Sequence, residues 1–271
     1  AVEKTGLGRV EDKILKNERK TLGLLRDMRG TKTVGVISQD KNSGITEIAR
    51  PVGVVGAVTP STNPVATPTN NTLNALKGRN AIILAPSPAG EEVCSKLIQY
   101  FHDELNRIGA PLDLIQQLRP PVNKITTGEL MKHADLLIVT GSQSNVRSAY
   151  SSGTPAIGVG AGNVSVIVDE TADLEAAAIK IMQSKTFDHA TSCSSENALV
   201  LIDEIRMPFL KKLHDVGGRL LNQEQKKMLQ EALWRNGRLN REMLARDAIT
   251  LIQKSGIKSK ELEDATFLMV E

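Results

Sequence analysis

From position 51 the chain alternates short, mainly apolar runs with longer amphipathic stretches. The runs at 52–58, 81–85, 112–118, 136–140, 156–159, 164–169 and 198–202 read as strands. The run 52–58 reads as a buried strand, and the longest unbroken runs, such as 81–85 and 136–139, have buried-strand lengths. Between them, 65–76, 90–109, 126–132, 141–151 and 173–184 read as helices. Strands alternating with helices predict an α/β fold built on a parallel, doubly wound sheet. Such sheets bind ligands beyond the carboxyl ends of their strands, where this chain has polar turns at 59–64, 86–88 and 140–143.

The flanks differ. Residues 1–27 read as one helix already under way, and within the helical spacing of 9–29 Val10, Ile14, Leu22, Leu25 and Met28 mark an apolar face. Residues 33–38 and 45–49 read as a hairpin around Asp40–Gly44, polar enough to project from the core and pair with another subunit. A long charged helical region is expected over 204–254, and a last strand over 267–271.

Composition narrows the function. The 271 residues are 40% hydrophobic, enough for one large domain or two smaller ones. Lys+Arg 34 against Asp+Glu 31 leaves a net charge of only +3, and aromatics are 3%. That balance argues against nucleic acid and membrane surfaces as partners. Two cysteines, Cys94 and Cys193, make no disulfide framework, so a reducing cytoplasm is the expected compartment. No apolar stretch approaches the roughly 20 residues of a membrane helix, and no His/Cys/Asp/Glu grouping has metal-ligand spacing.

Cys193 lies in a polar turn feeding an apolar strand, a place suited to a nucleophile, although most free cysteines are small buried apolar residues. Three further features accompany it. Thr59-Pro60-Ser61-Thr62-Asn63-Pro64 follows a strand and can aim hydroxyl and amide donors at a ligand, or simply cap a helix. Thr140-Gly141-Ser142 opens a helix, where backbone N–H groups suit a phosphate. The glycines at 153, 158, 160 and 162 imply close backbone approach, or a hinge between domains. His189, His102, His133 and His214 read as structural or solvated, and Cys94 as core.

The run Gly-Ala-Val-Thr-Pro-Ser-Thr-Asn-Pro at 56–64, the run at 150–163, and Thr186-Phe187-Asp188 with Cys193 and Glu196 resemble the aldehyde dehydrogenase superfamily, in particular its CoA-acylating branch. The resemblance covers essentially the whole chain. It implies a Rossmann-type cofactor-binding domain over 1–160, carrying the projecting hairpin 33–49, and a partial catalytic domain over 161–271. It also implies a fragment of a longer protein, a homo-oligomer (dimer or tetramer), and a cytoplasmic or microcompartment location.

In that reading the Cys193 thiolate attacks a short aldehyde, and Asn63 with the Cys193 backbone N–H holds the oxyanion. Hydride passes to NAD or NADP, and coenzyme A takes the acyl group from the Cys193 thioester. Thr59, Pro60, Ser61, Thr62, Ser87, Thr140, Gly141, Ser142, Gly158, Val159 and Gly160 would line the cofactor site. The hydrolytic branch carries a glutamate base near Gly158; Ile157-Gly158-Val159-Gly160 has no carboxylate, which favours acyl transfer to a thiol over hydrolysis. That branch also places its oxyanion Asn where this chain has Thr62, so either residue could serve. Its ribose-binding Lys falls at Ala85 and its acidic partner near Pro88, so NADP is as permissible as NAD.

The hydroxyls of Thr191, Ser192, Ser194 and Ser195 are turn residues or a polar acyl pocket. The Ser-Cys-Ser-Ser-Glu-Asn run looks most like sulfoacetaldehyde dehydrogenases, whose substrate has an anionic head. The alternatives are an acetaldehyde or propionaldehyde enzyme, a glutamyl-phosphate-reductase-like enzyme working on an acyl phosphate, and an inactive binding or assembly module.

Overall fold

A computed structural model describes all 271 residues, Ala1–Glu271. Contacts divide them into two compact units: Ala1–Gly6 with Lys13–Ala161, and Leu7–Asp12 with Gly162–Glu271. No helix is long and apolar enough to cross a membrane.

The chain begins with two helices, α1 (Val2–Thr5) and α2 (Val10–Met28), in place of the single one expected over 1–27. Gly6 and Gly8 sit at φ 66° and 78°, a left-handed backbone that glycine adopts at little cost and that ends α1. Strands β1 (Gly35–Asp40) and β2 (Ile45–Ala49) pair antiparallel as the hairpin, with nearly every residue exposed.

The first unit is then built on β3 (Val54–Thr59), β4 (Ala81–Pro86), β5 (Ile115–Gln117), β6 (Leu136–Thr140) and β7 (Ala156–Val159). They form one parallel sheet in the order β5-β4-β3-β6-β7. Residues 112–114, expected to open a strand, form a single helical turn leading into β5. Helices α3 (Ala66–Lys77) and α4 (Glu91–Arg107) cover one face, burying Ala75, Cys94, Ile98 and Leu105 against Val55, Ala57, Ile82 and Leu84. Helices α5 (Lys124–His133) and α6 (Gln143–Tyr150) cover the other, burying Leu130, Met131, Val146 and Ala149 against Val58, Leu137 and Val139. Burial on both faces explains why β3, β4 and β6 read as apolar runs, whereas the outer strand β7 leaves Ile157 and Val159 exposed.

The second unit pairs β8 (Val164–Val168) in parallel with β9 (Glu196–Leu201), joined by α7 (Leu174–Thr186). The region expected to be helical over 204–254 holds three helices interrupted by strands: α8 (Asp203–Asp215), β10 (Gly218–Leu220), α9 (Gln223–Leu233), the short hairpin β11 (Trp234–Arg235) and β12 (Arg238–Leu239), and α10 (Ala248–Lys254). Each break has a local cause. Gly217 turns the chain at φ 92°, Asn222 caps α9 with Gln225 in a capping box, Asn236-Gly237 makes the hairpin turn, and Asp247 caps α10. Strand β13 (Phe267–Met269) pairs in parallel with β10. Phe209 and Leu213 are fully buried here, with Val168, Ala178 and Phe267 packed in the same core.

Candidate active site

In the first unit the strand order reverses at β3, with β4 and β5 on one side and β6 and β7 on the other. Ligands of doubly wound sheets bind at this reversal, beyond the strand carboxyl ends. The turn 59–64 leaves β3 there. Thr59 is buried, and its carbonyl accepts from the Ser87 N–H (2.9 Å) at the end of β4. At the neighbouring ends, Gly141 N–H donates to the Val159 carbonyl (3.1 Å). The sheet therefore brings together Thr59, Pro60, Ser61, Thr62, Ser87, Thr140, Gly141, Ser142, Gly158, Val159 and Gly160 along one edge.

Several of these have assigned partners. The Ser142 hydroxyl caps α6 by accepting from Asn145 N–H (3.3 Å). The Ser87 hydroxyl is buried and has no hydrogen-bond partner, an unmet polar group suited to a ribose or phosphate oxygen. A Cβ at Gly158 would lie 2.7 Å from Val146 and 3.0 Å from the Tyr150 ring, whose hydroxyl accepts from Gly158 N–H (3.1 Å). At Gly160 a Cβ would meet the Gln143 side chain at 2.7 Å. The edge is thus bare backbone at both positions.

The turn itself is held by α2. Lys13 Nζ donates to the Thr62 carbonyl (2.5 Å) and Lys16 Nζ to the Asn63 side-chain Oδ1 (3.0 Å). Both lysines are buried, at 5% and 4% exposure. The apolar residues that marked the inward face of α2 are exposed instead, Val10, Ile14, Leu22 and Leu25 at 43–63%. The expectation from periodicity inverts here because the lysine stems carry the burial while their ammonium groups reach main-chain and amide oxygens. Nothing in the sequence marks Lys13 and Lys16 apart from the other charges of α2.

In the second unit Cys193 is exposed, and Cys94, in the first, is buried. Burial pushes the Cys94 thiol up to about 12, which fits its reading as core. The Cys193 loop is fixed by Asp188, a fully buried carboxylate. It accepts from Arg9 N–H (3.0 Å) and from the Thr191 hydroxyl, and Asp188 N–H donates to the Asp12 carboxylate (2.8 Å). Asp188, His189 and Ala190 all lie in the left-handed region, at φ 52°, 49° and 54°. Ser195 N–H closes the next turn on Ser192 O (3.1 Å), and a Cβ at Gly162 would come 3.1 Å from the Cys193 carbonyl.

Of the four hydroxyls flanking Cys193, Thr191 is committed to Asp188 and Ser195 is buried, leaving Ser192 and Ser194 toward the surface. In the last turn of α7, burial lowers the pKa of Lys185 against the opposing charge of Glu196, and Lys185 donates to the Asn197 side chain at the start of β9 (2.8 Å). No group of three or more His, Cys, Asp or Glu side chains is placed to hold a metal ion.

The aldehyde dehydrogenase family matches residues 11–226. An acylating sulfoacetaldehyde dehydrogenase of Cupriavidus necator is 54% identical over 271 residues, covering all of this chain and 55% of that protein. An acetylating aldehyde dehydrogenase from Geobacillus thermoglucosidasius superposes with a TM-score of 0.92 at 38% identity, over 99% of this chain and 59% of that one. A propionaldehyde dehydrogenase of Rhodopseudomonas palustris, solved with CoA and an acylated cysteine, superposes with a TM-score of 0.84 at 28% identity, over 99% and 61%. The chain spans little more than half the length of these relatives.

Proposed function

Because the chain belongs to the aldehyde dehydrogenase family, we propose that it carries the cofactor edge and the nucleophile of a CoA-acylating enzyme that converts sulfoacetaldehyde to sulfoacetyl-CoA. The observation that carries acyl transfer is the bare, carboxylate-free edge at Gly158 and Gly160, closely backed by Val146 and Tyr150 at Gly158. With no carboxylate there to activate water, the thioester is left for a thiol.

The exposed Cys193 thiolate adds to the aldehyde carbonyl, forming a C–S bond and an oxyanion. The Asn63 amide N–H donates to that oxyanion. Collapse of the oxyanion expels hydride from the carbonyl carbon and leaves a thioester on Cys193. The CoA thiolate then attacks that carbonyl, and the Cys193 thiolate departs. A nicotinamide cofactor, NAD or NADP, supplies the hydride acceptor. Residues 59–62, Ser87, 140–142 and 158–160 would hold it, and the unmet Ser87 hydroxyl at the end of β4 fits that role. Ser192 and Ser194 are the hydroxyls left to meet an anionic sulfonate. The exposed Val36, Ile37, Ile45 and Ile48 of the hairpin support its use in subunit pairing.

The test is mass spectrometry of the protein after reaction with sulfoacetaldehyde, acetaldehyde or propionaldehyde and each nicotinamide, quenched before and after CoA. A sulfoacetyl adduct on Cys193 that CoA removes is the expected result. Adducts from the unsubstituted aldehydes alone would move the substrate assignment. No adduct at Cys193, or its release by phosphate in preference to CoA, would sink the proposal.

A further inference from the structure

Resting on the reading of Asn63 as the oxyanion donor, we propose that Lys16 is the positioning residue that decides which end of the Asn63 carboxamide faces the reacting carbonyl. The two ends of an asparagine amide are nearly the same size, so shape alone fixes neither. One end stabilises an oxyanion; the other, an oxygen lone pair, repels it. A lysine ammonium only donates, so Lys16 Nζ at 3.0 Å from Oδ1 is compatible with one orientation alone. The other neighbour of the amide cannot decide, since the Thr62 hydroxyl 3.4 Å from Nδ2 can both donate and accept.

Burial strengthens the effect. Lys16 is 4% exposed, so its charge acts on the amide with little competing water. Withdrawing electron density at Oδ1 makes the Nδ2 hydrogens better donors, in the direction an oxyanion requires. Lys13 does the same work on the main chain, fixing the Thr62 carbonyl at 2.5 Å and with it the peptide that leads into Asn63. Turn and amide are thereby held by one helix, residues 13 and 16 lying about one turn apart.

The experiment is a double-mutant cycle in the full chain, read by kinetics and by side-chain NMR. Asn63→Ala is expected to lower kcat by about 10²–10³-fold, the usual cost of an oxyanion donor. Lys16→Met is expected to lower kcat by at least about tenfold with the aldehyde KM within about twofold, and to cost nothing further in the Asn63→Ala background. Asn63→Asp keeps an oxygen for Lys16 but no N–H, so it should fold stably and lose activity as Asn63→Ala does; it carries the test if Lys16→Met fails to fold. Losses that add in the double mutant, or activity retained in Asn63→Asp, overturn the proposal. Independently of activity, the Asn63 side-chain NH2 resonance, assigned by its loss in Asn63→Ala, should move in Lys16→Met. An unmoved resonance overturns the positioning role; a moved one with no thioester on Cys193 overturns only the enzymatic reading.

Discussion

The turn at 59–64 and the loop at 187–195 solve opposite problems. The turn presents a dipole, and a dipole must be oriented, so it is gripped from outside by two lysines far off in sequence. The loop presents a single thiol, and a thiol needs a fixed backbone beneath it, so the loop carries its own buried carboxylate, which closes on Thr191 within the loop and fastens it to Arg9, while the Asp188 N–H fastens it to Asp12. The turn stays within ordinary backbone geometry, with Pro60 and Pro64 limiting it. The loop instead holds three consecutive non-glycine residues left-handed, each at a cost of roughly 1 kcal/mol. Strain of that kind persists only where the surroundings over-determine the conformation, and here Asp188 does so.

The contrast is sharpened first by the two cysteines, where the largest effect is expected. At pH 8 a thiol with a pKa of about 12 is thiolate in roughly one molecule in 10⁴, and Cys94 is also shut away from solvent. Iodoacetamide should therefore label Cys193 at least about 10³-fold faster than Cys94, with one equivalent taken up until the protein unfolds. Peptide mapping reads this directly, and comparable labelling of both sites would mean that the loop does not present its thiol as described.

Asp188→Ala breaks the brace itself. It leaves the Arg9 N–H and the Thr191 hydroxyl without the carboxylate that accepts from both, at about 1–3 kcal/mol for the buried hydroxyl and about 0.5–1.5 kcal/mol for the part-buried N–H. A loss of about 3 kcal/mol in urea unfolding is the expected outcome, along with altered Cys193 labelling. A loss under about 1 kcal/mol would show that the loop is held by something other than its carboxylate.

The two regions also differ in how plainly the sequence announced them. The doubly wound sheet was legible because strands covered on both faces are mainly apolar runs, and the turn at 59–64 followed from where β3 ends. Cys193 stood out through its polar neighbours, and Asp188 lay inside the same motif, its spacing of three to Thr191 typical of a side chain closing its own turn. Lys13 and Lys16 were hidden, because hydrophobic periodicity sees which residues are apolar and not which long cations bury their stems. The same blindness inverted the face of α2. Between 204 and 254, charged residues with helical spacing masked breaks made by single residues, Gly217, Asn222 and Gly237, whose effect is conformational.

The smallest expected effect is the most diagnostic of the difference, because it changes sign between the regions. Ala190 sits at φ 54°, where a Cβ is strained, so Ala190→Gly removes strain at the cost of a floppier unfolded chain. The first term is the larger at a left-handed position, giving a net gain of about 0.5 kcal/mol. Ser61 has no such geometry, so Ser61→Gly meets only the entropic cost and should lose about 0.5–1 kcal/mol. Paired urea titrations of the two variants read both signs against the same wild type. Should Ala190→Gly lose stability as Ser61→Gly does, the loop is not strained at that residue, and its shape owes nothing to force applied through Asp188.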